Sequence, residues 1–236
     1  QNLLFLLRIT WHYFQLCYFR LGKIHIMSVQ RSILGNFSML LLLFLAIQFT
    51  VVAQERGKLF MKNYLPKEYN GHTQNWWMTQ DDNGLIYIAN NNGVLEYDGE
   101  NWQKIELPQR TTVRAVAKGA DGVIYVGSQS EFGYLAANAS GSMEYQSLLN
   151  QIPKEDTEFK DVWSVHAVGE RIFFMTDFKI FGYHTVEKTF KVWKPTSESG
   201  YFLTYKVLDE LYAVEIGKGL MKLVEGEFQL VEEGDI

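Results

Sequence analysis

The sequence predicts an all-β chain: a β-propeller with four antiparallel four-stranded blades visible, part of a larger propeller. Three observations carry this. Four apolar triplets, Ile86-Tyr87-Ile88, Ile124-Tyr125-Val126, Ile172-Phe173-Phe174 and Leu211-Tyr212-Ala213, have centres 38, 48 and 39 residues apart, the period of a propeller blade. A turn precedes each one: Asp82-Asn83-Gly84, Asp121-Gly122, Gly169-Glu170 and Asp209-Glu210. Helical periodicity is absent after residue 60, while 15% aromatics and 19 Gly suit many short strands joined by tight turns. A β-sandwich with accidental spacing is the competing reading; four matched triplets with matched turns count against it.

The elements of each unit follow in order. A first strand is expected around Trp77, Ala115, Trp163 and Phe202, each ten or so residues before a triplet centre. The triplet is the second strand. A third run follows near a Gly: Gly93 to Tyr97, Phe132 to Leu135, Ile180 to Tyr183 and Gly219 to Leu223. A fourth strand closes the unit at Trp102 to Leu107, Met143 to Leu148, Phe190 to Trp193 and Phe228 to Val231. Asn83-Gly84, Asn92-Gly93, Asp98-Gly99 and Asp121-Gly122 supply the positive φ of tight hairpins. The blades run over about 73–108, 111–149, 160–194 and 199–232. The longer second spacing places loops at 138–141 and 153–158, with one helical turn near Leu148 to Gln151.

Residues 27–53 read as an export signal. Arg31 is the positive segment, Met39 to Ile47 the apolar core, and Val51-Val52-Ala53 a small-residue cleavage site before Gln54. An uncleaved anchor is the alternative, and the apolar run is short for a full span. Residues 1–26 read as upstream sequence translated ahead of Met27, and residues 54–236 as the partial propeller. Cys17 is the only cysteine, so no disulfide framework or cysteine zinc site exists. No acid precedes Glu55, leaving 27 acids against 18 Lys and Arg afterwards, a net charge of −9. Such an acidic body argues against a nucleic-acid surface.

The stretch Asn63-Tyr64, Gln74-Asn75-Trp76 and Gln80 through Gly99 (QDDNGLIYIANNNGVLEYDG) resembles the first blade of the two-component-regulator propeller family. Val113 through Val116 and Gly127 through Tyr134 resemble its second blade. The resemblance spans roughly residues 60–236 and is weaker in blades three and four. It implies the periplasmic sensor region of a transmembrane signalling or transcription regulator of Bacteroidetes. In such proteins a triple-tyrosine β-sandwich, one membrane span and an output module follow the propeller. The output is a histidine kinase or a LuxR-type helix-turn-helix, and the plan leaves room for a homodimer. None of these downstream parts is visible, nor the seven or more blades usual in the family, so the sequence is expected to be an N-terminal fragment. A secreted binding scaffold with no signalling role is the alternative. A propeller lyase or glycosidase is a third reading, but it needs paired carboxylates or a metal cluster at the channel mouth.

No catalytic or metal motif stands out, and no cofactor is implied. His72, His166 and His184 lack ligand spacing, and His166 reads as a packed core residue of a first strand. Asp81-Asp82-Asn83-Gly84 reads as a hairpin turn rather than a calcium loop. Asn138-Ala139-Ser140 is a formal glycosylation sequon expected to be unmodified. Ligand binding remains. First strands line a propeller's channel, and residues just ahead of them form the mouth. The candidates there are Asn75, Trp76, Arg114, Asp161 and Tyr201. Aromatic, amide, carboxylate and guanidinium groups around one axis suit a small-molecule or carbohydrate ligand, although Arg114 and Asp161 also fit a structural ion pair. Trp77 and Trp163 are read as sharing one repeat position and packing between blades.

Overall fold

The computed structural model describes residues 61–235. The upstream segment and export signal lie outside them. Among the described residues, no helix is long and apolar enough to cross a membrane.

The chain forms four four-stranded antiparallel sheets, each a meander in sequence order. Blade 1 holds β1 (Asn75–Gln80), β2 (Ile86–Asn90), β3 (Gly93–Tyr97) and β4 (Trp102–Ile105). Blade 2 holds β5 (Val113–Lys118), β6 (Ile124–Ser128), β7 (Glu131–Ala137) and β8 (Met143–Ser147). Blade 3 holds β9 (Ser164–Val168), β10 (Arg171–Met175), β11 (Ile180–His184) and β12 (Thr189–Trp193). Blade 4 holds β13 (Tyr201–Val207), β14 (Glu210–Glu215), β15 (Gly219–Val224) and β16 (Glu227–Leu230). The first strands β1, β5, β9 and β13 lie side by side at the inner edge. The triplets are the second strands, as the repeat requires.

Turn chemistry agrees with the sequence. Asp81 Oδ1 accepts from the backbone N–H of Asn83 and Leu85, both at 2.9 Å, and Gly84 takes φ 91°. That is a side-chain-closed hairpin turn. Blades 3 and 4 turn more tightly, since Val168 pairs with Arg171 and Val207 with Glu210 across two-residue loops. The fourth turn is therefore Leu208-Asp209, one residue earlier than the sequence suggests. Short helical turns occupy Leu149–Gln151 and Lys154–Asp156 within the connection from blade 2 to blade 3.

Burial follows position in the stack. Every residue of β6 is buried, and so are Ile172 to Met175 of β10, because neighbouring blades cover both faces of the sheet. In β14 burial alternates residue by residue, the signature of one covered face. Three inter-blade cores result. Tyr87, Val94, Val116 and Val126 fill the first; Phe132, Val165, Phe174 and Phe181 the second; Phe173, Ile180, Tyr201 and Leu211 the third. The far face of blade 4 leaves Leu203, Tyr205 and Val207 exposed, and the outer face of blade 1 leaves Met78 exposed. Part of that blade 1 face is covered by residues 64–71. There α1 (Pro66–Tyr69) brings Tyr69 against Trp102, and Tyr64 packs edge-on to Tyr97 and Trp102.

Two contacts bear on the site. Gly127 of β6 lies where blades 2 and 3 come closest: a Cβ there would sit 2.5 Å from Val162 and 2.8 Å from Val165. His166 packs into the junction of blades 3 and 4, its Nε2 3.1 Å from both the Thr204 carbonyl and Thr204 Oγ1. Burial pushes its pKa below 6.5, so the ring favours the neutral form.

Candidate ligand-binding site

Strand pairing breaks register at the same place in three blades: between Asn75 and Trp77, Val113 and Ala115, and Tyr201 and Leu203. The extra residues are Trp76, Arg114 and Phe202. A bulge re-aims the residue it inserts, here at the inner edge. In blade 3 the same repeat position falls on Trp163, immediately ahead of β9. These four positions stand 38, 49 and 39 residues apart. The counterpart of Trp163 is therefore Trp76, and that of Trp77 is Ser164, which pairs with Met175 as Trp77 pairs with Ala89. Counting back from the triplets puts Trp77 opposite Trp163 instead. The shorter hairpin of blade 3 moves its first strand by one residue and breaks that count.

Neither tryptophan is core: Trp77 is 55% exposed and Trp163 41%, beside 40% for Trp76. Instead, Trp76 and Trp163 both pack against Arg114. The guanidinium carbon lies 4.2 Å from the Trp76 ring centre and 5.0 Å from that of Trp163, within cation–π reach of both. Arg114 Nε donates to Asp161 Oδ1 at 2.9 Å, with both side chains largely buried. Asp161 is itself fixed by a backbone bridge to Gln129 in the β6–β7 turn of blade 2. The arrangement spans blades 1, 2 and 3.

Each indole is pinned by the turn after its own second strand. Trp76 Nε1 donates to Asn91 Oδ1 at 2.7 Å, and Trp163 Nε1 donates to Asp177 Oδ1 at 2.8 Å. A guanidinium held by Asp161 against two pinned rings loses little entropy when a ligand arrives. Beside Trp163, a cavity of about 550 Å³ opens between the blade 2–3 connection and the Asp177 turn, walled by Phe159, Lys160, Asp177 and Phe178.

The five sequence-predicted residues divide. Trp76, Arg114 and Asp161 come together. Asn75 is exposed at the start of β1 and makes one bond into the fold. Its Oδ1 accepts from the fully buried Asn90 Nδ2 at 2.6 Å, holding the start of β1. Tyr201 does not reach the mouth. It is 5% exposed, packs in the third inter-blade core, and burial raises its hydroxyl pKa. The residue after it, Phe202, occupies the bulge and is 62% exposed. Asn91 and Asp177 escape sequence reasoning, since their role depends on which way each hairpin turn folds back.

No family model matches the chain, and no curated protein matches it significantly. Solved structures do match in fold. One is the extracellular domain of BT4673 from B. thetaiotaomicron, named as a putative hybrid two-component system: 18% identity over 72% of this chain and 22% of that one, TM-score 0.53. Another is the extracellular domain of BT3049 from the same organism, named likewise: 17% identity, 74% and 27% coverage, TM-score 0.53. A third is catalytically inactive virginiamycin B lyase from Staphylococcus aureus with quinupristin: 17% identity, 74% and 60% coverage, TM-score 0.53. The chain thus spans about a quarter of the length of the two sensor domains. At these identities the likeness establishes the propeller-type fold that they share with this chain.

Proposed function

We propose that this chain is the ligand-binding propeller region of an exported sensor, and that the inner-edge mouth is where ligand binds. The observation that carries this is the pair of half-exposed indoles, Trp76 and Trp163, pinned against the fixed Arg114–Asp161 pair. Flat apolar faces beside oriented polar groups suit a carbohydrate, whose rings stack and whose hydroxyls hydrogen-bond. The fold likeness to two extracellular sensor domains and the export signal read in residues 27–53 support the sensor role on the periplasmic side. In the intact receptor a membrane span and an output module would read the bound state, through a ligand that favours one of two arrangements. The exposed apolar face of Leu203, Tyr205 and Val207 supports further blades stacking beyond blade 4.

Calorimetric titration with a panel of plant and host oligosaccharides tests the reading. Trp163→Ala is expected to weaken the binding glycan at least about tenfold, the worth of one stacked ring, while the melting temperature stays near that of the parent. Unchanged affinity in Trp163→Ala, or no glycan bound by the parent protein, overturns it.

A further inference from the structure

Resting on that reading of the site, we propose that Arg114 makes the mouth selective for acidic saccharides, recognising a ligand carboxylate through its free Nη edge. A guanidinium has two faces and five N–H donors. The Trp76 and Trp163 rings both lie against Arg114, their centres 4.2 and 5.0 Å from the guanidinium carbon. The Nε edge is taken by Asp161 at 2.9 Å. Among the described residues, neither Nη atom has a protein partner, and neither is sealed from water. What remains is a planar pair of parallel donors without a hydrogen-bond partner among the described residues, and the Nε–Asp161 bond holds the group in place. The group that matches two parallel N–H donors is a carboxylate, bound in the forked, charge-assisted geometry. A hydroxyl fills only half of that edge.

The neighbouring charges agree with this placement. Asp161 lies on the opposite, Nε side, and Asp177 points a carboxylate oxygen at the Trp163 N–H, 2.8 Å away. The adjoining cavity is lined by two bases, Lys160 and Lys179, and two acids, Glu158 and Asp177, so its formal charges balance and the selectivity rests on Arg114. A uronic-acid unit would stack on an exposed indole and lay its carboxylate against Arg114.

The test uses uronic-acid oligosaccharides, a galacturonate and a glucuronate series, each beside its methyl ester. The ester keeps ring, hydroxyls and size while removing the charge. The free acid is expected to bind at least about tenfold more tightly than its ester at low salt, with the margin shrinking as salt is added. In Arg114→Gln the ratio of acid to ester affinity is expected to fall to about onefold. Equal binding of acid and ester overturns the carboxylate proposal and leaves the glycan site standing. A margin that persists in Arg114→Gln overturns the role of Arg114. No binding by any acid, ester or neutral glycan removes both the proposal and the reading beneath it.

Discussion

Phe132→Ala is expected to lower the unfolding free energy by about 4 kcal/mol, the range for emptying a buried phenylalanine site. Phe132 has no exposed surface. Its ring stacks on Phe174 at 4.5 Å and lies 5.0 Å from Phe181 and 5.9 Å from Phe190, all in blade 3, and 5.6 Å from Phe159 in the connecting loop. A blade 2 residue thus has its aromatic neighbours in blade 3 and the connecting loop. Truncation removes the transfer energy of the ring and leaves a cavity that β-sheets on both sides cannot collapse to fill. Urea denaturation should show a lower midpoint with unchanged slope, and Phe132→Leu should recover more than half of the loss. A cost below about 1.5 kcal/mol would mean that the two blades are not locked by this ring. The lock matters for the mouth, because Arg114 belongs to blade 2 and Asp161 to the connection beyond it.

The second large effect lies at Glu215. This carboxylate is 2% exposed, and one oxygen accepts from Thr196 N at 2.7 Å, Thr196 Oγ1 at 2.6 Å and Ser197 N at 2.7 Å. It ties down the loop that carries the chain from β12 into β13. Glu215→Ala leaves two backbone N–H groups without a partner and is expected to cost about 3 kcal/mol. Glu215→Gln keeps an acceptor and should cost about half of that. Burial by itself would raise the carboxyl pKa, but the Thr196 and Ser197 donors and nearby Lys218 outweigh it and hold the pKa below 4.5. The folded state therefore favours the ionised form. Its contribution is fully present above pH 4.5 and is lost as pH falls through the lowered folded value. Stability measured down through this acid range should fall less steeply in Glu215→Gln than in the parent protein.

Glu215 also illustrates what the sequence holds in plain view. Asn90, Ser128, Thr176 and Glu215 sit three residues after the triplet centres, again 38, 48 and 39 apart, and all four are buried. Asn90 bonds the backbone of His72 and Gln74, Ser128 lies against Thr111, and Glu215 holds Thr196 and Ser197. Three of the four polar residues closing an apolar strand thus anchor the incoming chain, while Thr176 closes its own turn on Lys179. The blades themselves are legible because the triplets and Gly turns repeat with the fold. The mouth is half legible. Trp76, Arg114 and Asp161 follow from looking just ahead of each first strand, whereas Tyr201 fails because the bulge hands the outward position to Phe202. A one-residue bulge and a hairpin shorter by one residue leave no mark in composition, yet each changes which side chain faces the mouth.

Ligand meeting the chain at Trp76 and Trp163 is reported residue by residue by the indole N–H signals. With the tryptophans labelled with nitrogen-15, a binding uronic-acid oligosaccharide is titrated in while the indole resonances are followed. Trp76 and Trp163 should move together along one saturation curve. Trp102, packed against Tyr97, and Trp193, whose N–H donates to the Gly226 carbonyl at 2.9 Å, should stay in place. Shifts at Trp102 or Trp193 with Trp76 and Trp163 unmoved would put the ligand elsewhere on the propeller and contradict the account.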